Sequence, residues 1–279
     1  MIVPESILLE QVSLLTPLAI RFRDPATRSL VSEGLDVSVR TLAGGGRAVP
    51  AFPNRSGMFV ARGLPGLRDL EAGAGDDAFW DDLSDTDRRT FAIEVNDRKG
   101  RYLPWRIEAD LPNRGLVSPA CLPSLPPMSG VPLYSSPARP PVPGMAVIRV
   151  EMDTVSTDGD SVPARWALVQ VKVGPETALG LADERGVAMV LVPYPKPGNG
   201  STVPLSDMEW PVELQVSWSP DPAAPKLPEL CQTLGQQPAS VFRDRAGTEA
   251  FAPLAGLRFG RELVLTGDPS GKVFVRPTA

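Results

Sequence analysis

Short runs of alternating apolar and polar residues recur along the chain, and this pattern is typical of half-buried antiparallel strands. In "LDVSVRT" and "VELQVSW" every second residue is apolar, so that one face of each strand can turn to a core. The runs that share this period of two are residues 18–22, 35–41, 91–95, 166–173, 212–218, 262–266 and 273–276. Thirty-two prolines and 25 glycines separate them and leave little room for long helices. The pattern predicts an all-β fold of two tandem antiparallel sandwiches of the immunoglobulin-like or transthyretin-like kind.

A proline-rich stretch interrupts this rhythm at residues 119–143, where nine of 25 residues are proline. Such a stretch can be neither a central strand nor a regular helix. We interpret it as an extended, partly polyproline II linker that lies along a surface through apolar members such as Leu133 and Tyr134. A proline-rich ligand for a recognition domain is the alternative. The predicted domains are therefore 1–118 and 144–279, joined by this linker.

The two halves follow one order of elements, and each contains a corner of the form Asn/Asp-x-x-Gly. The first corner has Asn54 and Gly57, and the second has Asp183 and Gly186. An Asn or Asp side chain can accept hydrogen bonds from its own turn, and a glycine can adopt a positive φ. The first corner has Asn-Arg-Ser where the second has Asp-Glu-Arg, so the turn does not require the charges of the second corner and both are predicted to be structural turns. An internal duplication explains the similarity most simply, and convergence is the alternative.

The segment "GMFVARGLPG" at residues 57–66, which follows the first corner, resembles the middle of transthyretin-like sandwiches. These include carboxypeptidase regulatory-like and Cna-B-type domains. The second half departs from the motif, with "GVAMVLVPYP" at residues 186–195. The resemblance implies a sandwich of about seven strands and carries no catalytic residue with it.

The whole chain resembles accessory proteins of phage-tail-like contractile injection systems. The segments that carry this resemblance are "LAIRFRD", "GLPGLRDLE", "GLADERGVAMVLVPYP" and the terminal "LRFGRELVLTGDPSGKVFVRP". It implies a non-enzymatic structural or connector subunit in a cap, baseplate or fibre. Its partners would be other subunits of the particle or further copies of itself.

Composition narrows the chemistry, because the 279 residues include no histidine. This excludes Ser-His-Asp and Cys-His catalysis within the chain and zinc sites that need histidine. We predict no catalytic residue, no cofactor and no metal site. A net charge of −5 argues against nucleic acid and anionic membranes as partners. The N-terminal sequence does not match a signal peptide, which predicts cytoplasmic assembly, with release as part of a particle.

Cysteine usage leaves the redox compartment undecided, since Cys121 and Cys231 form one possible pair far apart in sequence. We expect free, half-buried thiols.

An acidic insertion is predicted at residues 69–89, where eight carboxylates surround Phe79 and Trp80. A solvated loop is the simplest interpretation. A calcium loop would need a glycine and a closing glutamate, and the region of Asp85 and Asp87 has neither. An exposed aromatic pair is costly unless something covers it. Our hypothesis is that Phe79 and Trp80 bind another subunit or the second domain.

Two further functions remain open. Tryptophans in or beside predicted strands are expected to anchor the cores, but on an exposed strand face they would form a carbohydrate-binding or adhesion surface. These tryptophans are Trp105, Trp166, Trp210 and Trp218. The third alternative is a glycoside hydrolase that uses two carboxylates across a groove. Its candidate acids are Glu94, Asp97, Glu108 and Asp110.

The segment "GDPSGK" at residues 267–272 has some likeness to a phosphate-binding loop. It has three residues between its glycines instead of four, and a valine follows the lysine. A β-hairpin turn between the flanking strands is the prediction.

Overall fold

The computed structural model describes residues 15–42, 46–72, 77–119, 121–122, 130–156, 158–197, 203–220, 227–253, 256–267 and 271–278. In this part of the chain the structure is mostly β-strand, with the short α-helices α1 (Asp77–Asp82) and α2 (Leu230–Leu234). Three-residue 3-10 helices lie at Leu70–Ala72, Asp85–Asp87 and Leu205–Asp207. The prediction of an all-β fold is confirmed.

The first part of the chain forms a six-stranded antiparallel sheet and a small three-stranded sheet, as counted over the described residues. Its strands are β1 (Leu18–Ile20), β2 (Phe22–Arg23), β3 (Leu30–Val31), β4 (Leu35–Thr41), β5 (Val49–Pro53), β6 (Phe59–Ala61), β7 (Arg89–Asp97), β8 (Trp105–Leu111) and β9 (Val131–Pro132). The larger sheet has the order β1-β6-β5-β4-β7-β8, and the smaller one has the order β3-β2-β9. Buried and accessible residues alternate along β4, as expected for a strand with one face on a core.

The second part forms a larger, mixed sheet around one long strand. Its strands are β10 (Met145–Val155), β11 (Ser161–Pro163), β12 (Leu168–Val173), β13 (Glu176–Leu181), β14 (Val187–Pro193), β15 (Glu209–Trp210), β16 (Val212–Ser217), β17 (Pro238–Phe242), β18 (Leu257–Arg258), β19 (Leu263–Leu265) and β20 (Val273–Pro277). The order is β11-β10-β20-β17-β16-β12-β13, with β14 and β19 also paired to β10, and β15 pairs with β18. Strand β10 therefore organises this half.

Each of the seven predicted runs overlaps at least one strand of the described structure, and residues 35–41 coincide with β4. The hairpin predicted at residues 267–272 is wrong. Strands β19 and β20 both run parallel to β10, so they follow one another along its edge and do not pair with each other. Residues 268–270 of this segment lie outside the described residues.

Two large hydrophobic cores lie behind these sheets. In the first, the ring of Phe22 lies edge-on to Phe59 and Trp105, at centroid distances of 5.4 and 5.8 Å. Three buried residues from later in the chain complete this core, namely Trp166, Leu181 and Leu230. The second core consists largely of valine and alanine side chains from the sheet around β10. The first core thus draws on both halves of the sequence.

The described part of the proline-rich stretch is built into the first half. Strand β9 pairs in parallel with β2, and the N–H of Leu133 donates to the carbonyl of Arg23 at 2.8 Å. Val131, Leu133 and Tyr134 are buried in the first core. The stretch is therefore held against the protein through Leu133 and Tyr134, as expected, and these side chains enter the core itself. The division into domains 1–118 and 144–279 stays a prediction.

A buried polar cluster fastens the end of this stretch. Arg139 forms an ion pair with Asp24, and the Tyr102 hydroxyl donates to the same carboxylate at 3.2 Å. Burial would raise the pKa of Asp24, but the hydrogen bond and positive charge of Arg139 bring that pKa below its usual value. Burial raises the pKa of Tyr102 to about 12, so that its hydroxyl stays a donor. The cluster joins the proline-rich stretch to the loop after β2.

A disulfide bond joins Cys121 to Cys231, whose Cα atoms lie 5.3 Å apart. The expectation of free thiols is wrong. The two cysteines are 110 residues apart in sequence, and the fold brings α2 against the first half of the chain, where Leu230 enters the first core. Spacing along the chain could not reveal that proximity.

Candidate functional site

A groove of about 800 Å³ lies between the end of β10, the turn before β12, the end of β16 and helix α2. We call it the tryptophan groove, after Trp166 and Trp218. Half of its described lining residues are tryptophan, valine or proline, and the other half are polar. The other described residues that line it are Thr154, Val155, Ser156, Val162, Pro163, Arg165, Ser219, Pro220, Pro228, Glu229, Gln232, Thr233, Gln236 and Pro277.

Helix α2 forms one wall of the groove. The carboxylate of Glu229, just before the helix, accepts a hydrogen bond from the N–H of Gln232 at 2.6 Å and so caps the first turn. The helix ends at Gly235, whose N–H donates to the carbonyl of Cys231 at 3.0 Å. This capping places the side chains of Gln232 and Thr233 along the groove.

Trp166 enters the groove from a strained turn. Its φ of 59° lies in the left-handed region, which a bulky side chain seldom adopts. The turn spans residues 164–167, and the Trp166 carbonyl accepts a hydrogen bond from Nε2 of Gln236 at 3.1 Å. Since Trp166 is only 7% exposed and contributes to the first core, packing offsets the cost of this conformation. Strain of this kind is often retained at binding sites.

The polar groups of the groove offer binding contacts around an apolar centre. Oε1 of Gln236 is buried and accepts no hydrogen bond, whereas the Arg165 side chain is exposed at the rim. Glu229 is the one carboxylate among the described lining residues, and it is engaged in capping α2. A two-carboxylate hydrolytic mechanism would need a second acid in this lining.

The four candidate acids for hydrolysis lie on β7 and β8, away from the tryptophan groove. Each is engaged with a neighbour. Glu94 pairs with Arg40, Asp97 with Arg101 and Glu108 with Arg106, while Asp110 accepts a hydrogen bond from Thr90 at 2.6 Å. Asp97 is buried, which would raise its pKa, but the hydrogen bonds from Arg101 lower that pKa. This arrangement is that of structural ion pairs on a sheet.

The tryptophans do not form an exposed strand face. Trp105, Trp166 and Trp218 are buried, and Trp210 is half-buried beside Tyr194. Their interpretation as core anchors is confirmed for the three buried residues. Trp166 and Trp218 are each only 7% exposed, so they provide no flat platform for a sugar ring.

Phe79 and Trp80 lie on α1, where both are half-buried and their rings meet edge-on at 5.3 Å. Asp77 of the same helix forms an ion pair with Arg114, beyond the end of β8. Asp87, in the following 3-10 helix, accepts hydrogen bonds from the hydroxyl and the N–H of Ser84, which lower its pKa. The two aromatic residues do not belong to the lining of the tryptophan groove and remain a separate candidate contact.

The two Asn/Asp-x-x-Gly corners share the same side-chain hydrogen bonds to the turn, and at the second corner Oδ2 of Asp183 also accepts from the Arg185 guanidinium. Oδ1 of Asn54 accepts from the N–H groups of Ser56 and Met58 at 2.9 and 3.0 Å. Oδ1 of Asp183 accepts from the N–H groups two and four residues later, also at 2.9 and 3.0 Å. Gly57 and Gly186 have φ values of 72° and 78°. The side chains and glycines thus have the geometry of structural turns.

Sequence reasoning missed the tryptophan groove as a site. It placed Trp166 and Trp218 in strands but could not bring them together with α2. The segment "ELCQTLG" at residues 229–235 does carry a helix signal, since it ends in the glycine that often closes a helix. No comparable signal marks Trp166, because tryptophan is unusual at a left-handed position.

No family model, curated protein or solved structure matches this chain. Within the described ranges, no helix is long and apolar enough to cross a membrane. The same part of the chain contains no group of three or more His, Cys, Asp or Glu residues that could hold a metal ion. The function is therefore argued from the geometry of the groove and from the sequence.

Proposed function

We propose that this protein is a non-enzymatic connector subunit of a multi-protein assembly of the phage-tail-like contractile injection type. The tryptophan groove is the observation that supports this most, because a groove of about 800 Å³ that is lined by apolar and polar residues in equal number suits a segment of a partner protein. Its one described carboxylate is engaged in capping α2, which fits binding better than hydrolysis.

In this proposal an apolar side chain of a partner subunit sits between Trp166 and Trp218. The exposed side chains of Arg165 and Gln232 contact the partner at the rim. Aromatic and arginine side chains are the residue types that contribute most to protein interfaces. Phe79 and Trp80 on α1 provide a second contact with a neighbouring subunit.

Co-sedimentation with purified contractile particles tests the proposal. The wild-type protein is expected to sediment with the particles in a fixed ratio. Gln232→Arg places a long charged side chain at the exposed lip of the groove and is expected to lower the bound fraction at least about tenfold. Gln237→Arg is the matched control, since Gln237 is exposed but does not line the groove.

A protein that never sediments with contractile particles contradicts the proposal, as does equal binding of the two arginine variants. The α1 contact is tested separately with Trp80→Ala, for which Phe52→Ala is the control because Phe52 is an aromatic residue 65% exposed elsewhere on the first sheet. Trp80→Ala is expected to lose binding to the particles, and Phe52→Ala is expected to keep it.

A further inference from the structure

We propose that the Cys121–Cys231 disulfide makes the tryptophan groove dependent on oxidation. The bond holds α2 in place as a wall of the groove, and its reduction releases that wall. The inference rests on the proposed function only in assigning a role to the groove, since the behaviour of α2 can be measured without any partner.

Helix α2 cannot hold its position by itself. It has five residues, whereas isolated helices shorter than about 12–15 residues are marginal in water. Besides the disulfide, three described contacts fix it to the first half of the chain. Leu230 is buried in the first core, Leu234 packs against that core, and the N–H of Arg106 donates to the carbonyl of Pro228 at 2.9 Å.

The disulfide is the covalent part of this attachment. Cys231 is the second residue of α2, and Cys121 belongs to the proline-rich stretch, whose Leu122 packs against the first core. A bond between residues 110 apart greatly limits how far the helix can move from that core. The groove residues Glu229, Gln232 and Thr233 lie in or next to this helix.

The other walls of the groove are held differently. Strand β16 pairs with both β12 and β17, and β10 pairs with β11 and β20. Reduction therefore changes one wall and leaves the sheet in place. Local opening of weakly held segments with the rest of the fold intact is common in proteins.

Hydrogen–deuterium exchange of the full chain, read by mass spectrometry, tests the inference with and without a phosphine reductant. On reduction, amides in residues 227–236 are expected to exchange roughly tenfold faster or more, while those of β12 and β16 keep their rates. Cys121→Ser should exchange at the fast rate in both conditions. The wild-type comparison alone is sufficient if this variant does not fold.

Three outcomes would overturn the inference. The first is an equal exchange rate of residues 227–236 in both conditions, although alkylation shows that the thiols are reduced. The second is exchange in strands β12 and β16 that speeds up as much as in α2, which would make the bond a global constraint. The third is an air-oxidised protein that accepts two alkyl groups without reductant. Failure of the protein to bind contractile particles leaves this inference untouched.

Discussion

The corners at residues 54–58 and 183–187 share the hydrogen bonds of the turn but have different surroundings. A Cβ atom at Gly57 would lie 3.5 Å from the Cβ of Ser32, an ordinary contact. At Gly186 it would lie 2.2 Å from the carbonyl oxygen of Met152. Asn54 is exposed, whereas Asp183 is only 7% exposed.

This difference separates two requirements that the sequence motif combines. The turn itself requires a residue that tolerates a positive φ, and this holds at both corners. The second corner must also approach β10 closely, since the N–H of Met152 donates to the carbonyl of Gly186 at 2.9 Å. Gly57 is needed for its backbone conformation alone. Gly186 is needed for its backbone conformation and also for its small size.

The largest effect is expected for Gly186→Ala. The free energy of unfolding should fall by about 3–5 kcal/mol, because the left-handed conformation and a clash with rigid backbone are both unfavourable. In Gly57→Ala only the left-handed conformation is unfavourable, so the free energy of unfolding should fall by about 1–2 kcal/mol. Denaturant unfolding measures both, and equal losses would mean that the contact with β10 is unimportant.

Removing the turn acceptor should also affect the corners unequally. Asp183→Ala leaves the N–H groups of Arg185 and Val187 without their acceptor at a largely buried corner, which should cost about 2–3 kcal/mol. Asn54→Ala should cost about 1 kcal/mol or less, since water can replace the lost bonds at an exposed position. If Asn54→Ala and Asp183→Ala lower the free energy of unfolding equally in the same denaturant titrations, burial of the second corner makes no difference to its turn.

Acid is expected to reduce stability independently of both corners. Asp24 and Asp97 have pKa values below their usual range, which for an unfolded chain is about 4. Their contribution is present above that value and is lost as the pH falls from about 4 through the lower folded-state pKa values. Thermal melts between pH 7 and pH 2 should show a melting temperature that is steady at first and then falls by several degrees. A melting temperature that rises below pH 4 would contradict this.

The smallest effect is expected for Glu184→Ala. Its charge has no counterpart at the first corner, where arginine occupies the same place, and the structure shows it exposed. The free energy of unfolding should change by no more than about 0.5 kcal/mol. A loss close to that of Gly186→Ala would show that the acidic group has a role beyond the turn.

Most of the strands could be predicted from the sequence because their patterns are local. Residues 35–41 alternate in a period of two, and the structure places them in β4 with alternating burial. The pairing of strands, by contrast, could not be predicted from local patterns, because it depends on residues far apart in the sequence. The segments of β19 and β20 suggested a hairpin, but both pair with β10, more than 100 residues earlier in the chain.

The candidate site depended even more on long-range proximity. Trp166 and Trp218 stood out as aromatic residues near strands, yet their pairing with Glu229 and Gln236 follows from the position of α2. Nor could spacing join Cys121 to Cys231, since sequence separation does not determine distance in a folded chain.

The sequence by itself determined the β character of this protein, the chemistry that a chain without histidine excludes, and the conformation of two turns. These follow from properties of neighbouring residues: side-chain period, titratable groups and backbone freedom. The tertiary structure decided which residues meet. It placed α2 as a wall of the groove, joined the two cysteines, and left Gly186 no room for a methyl group. Those outcomes depend on packing between distant segments, which no local pattern encodes.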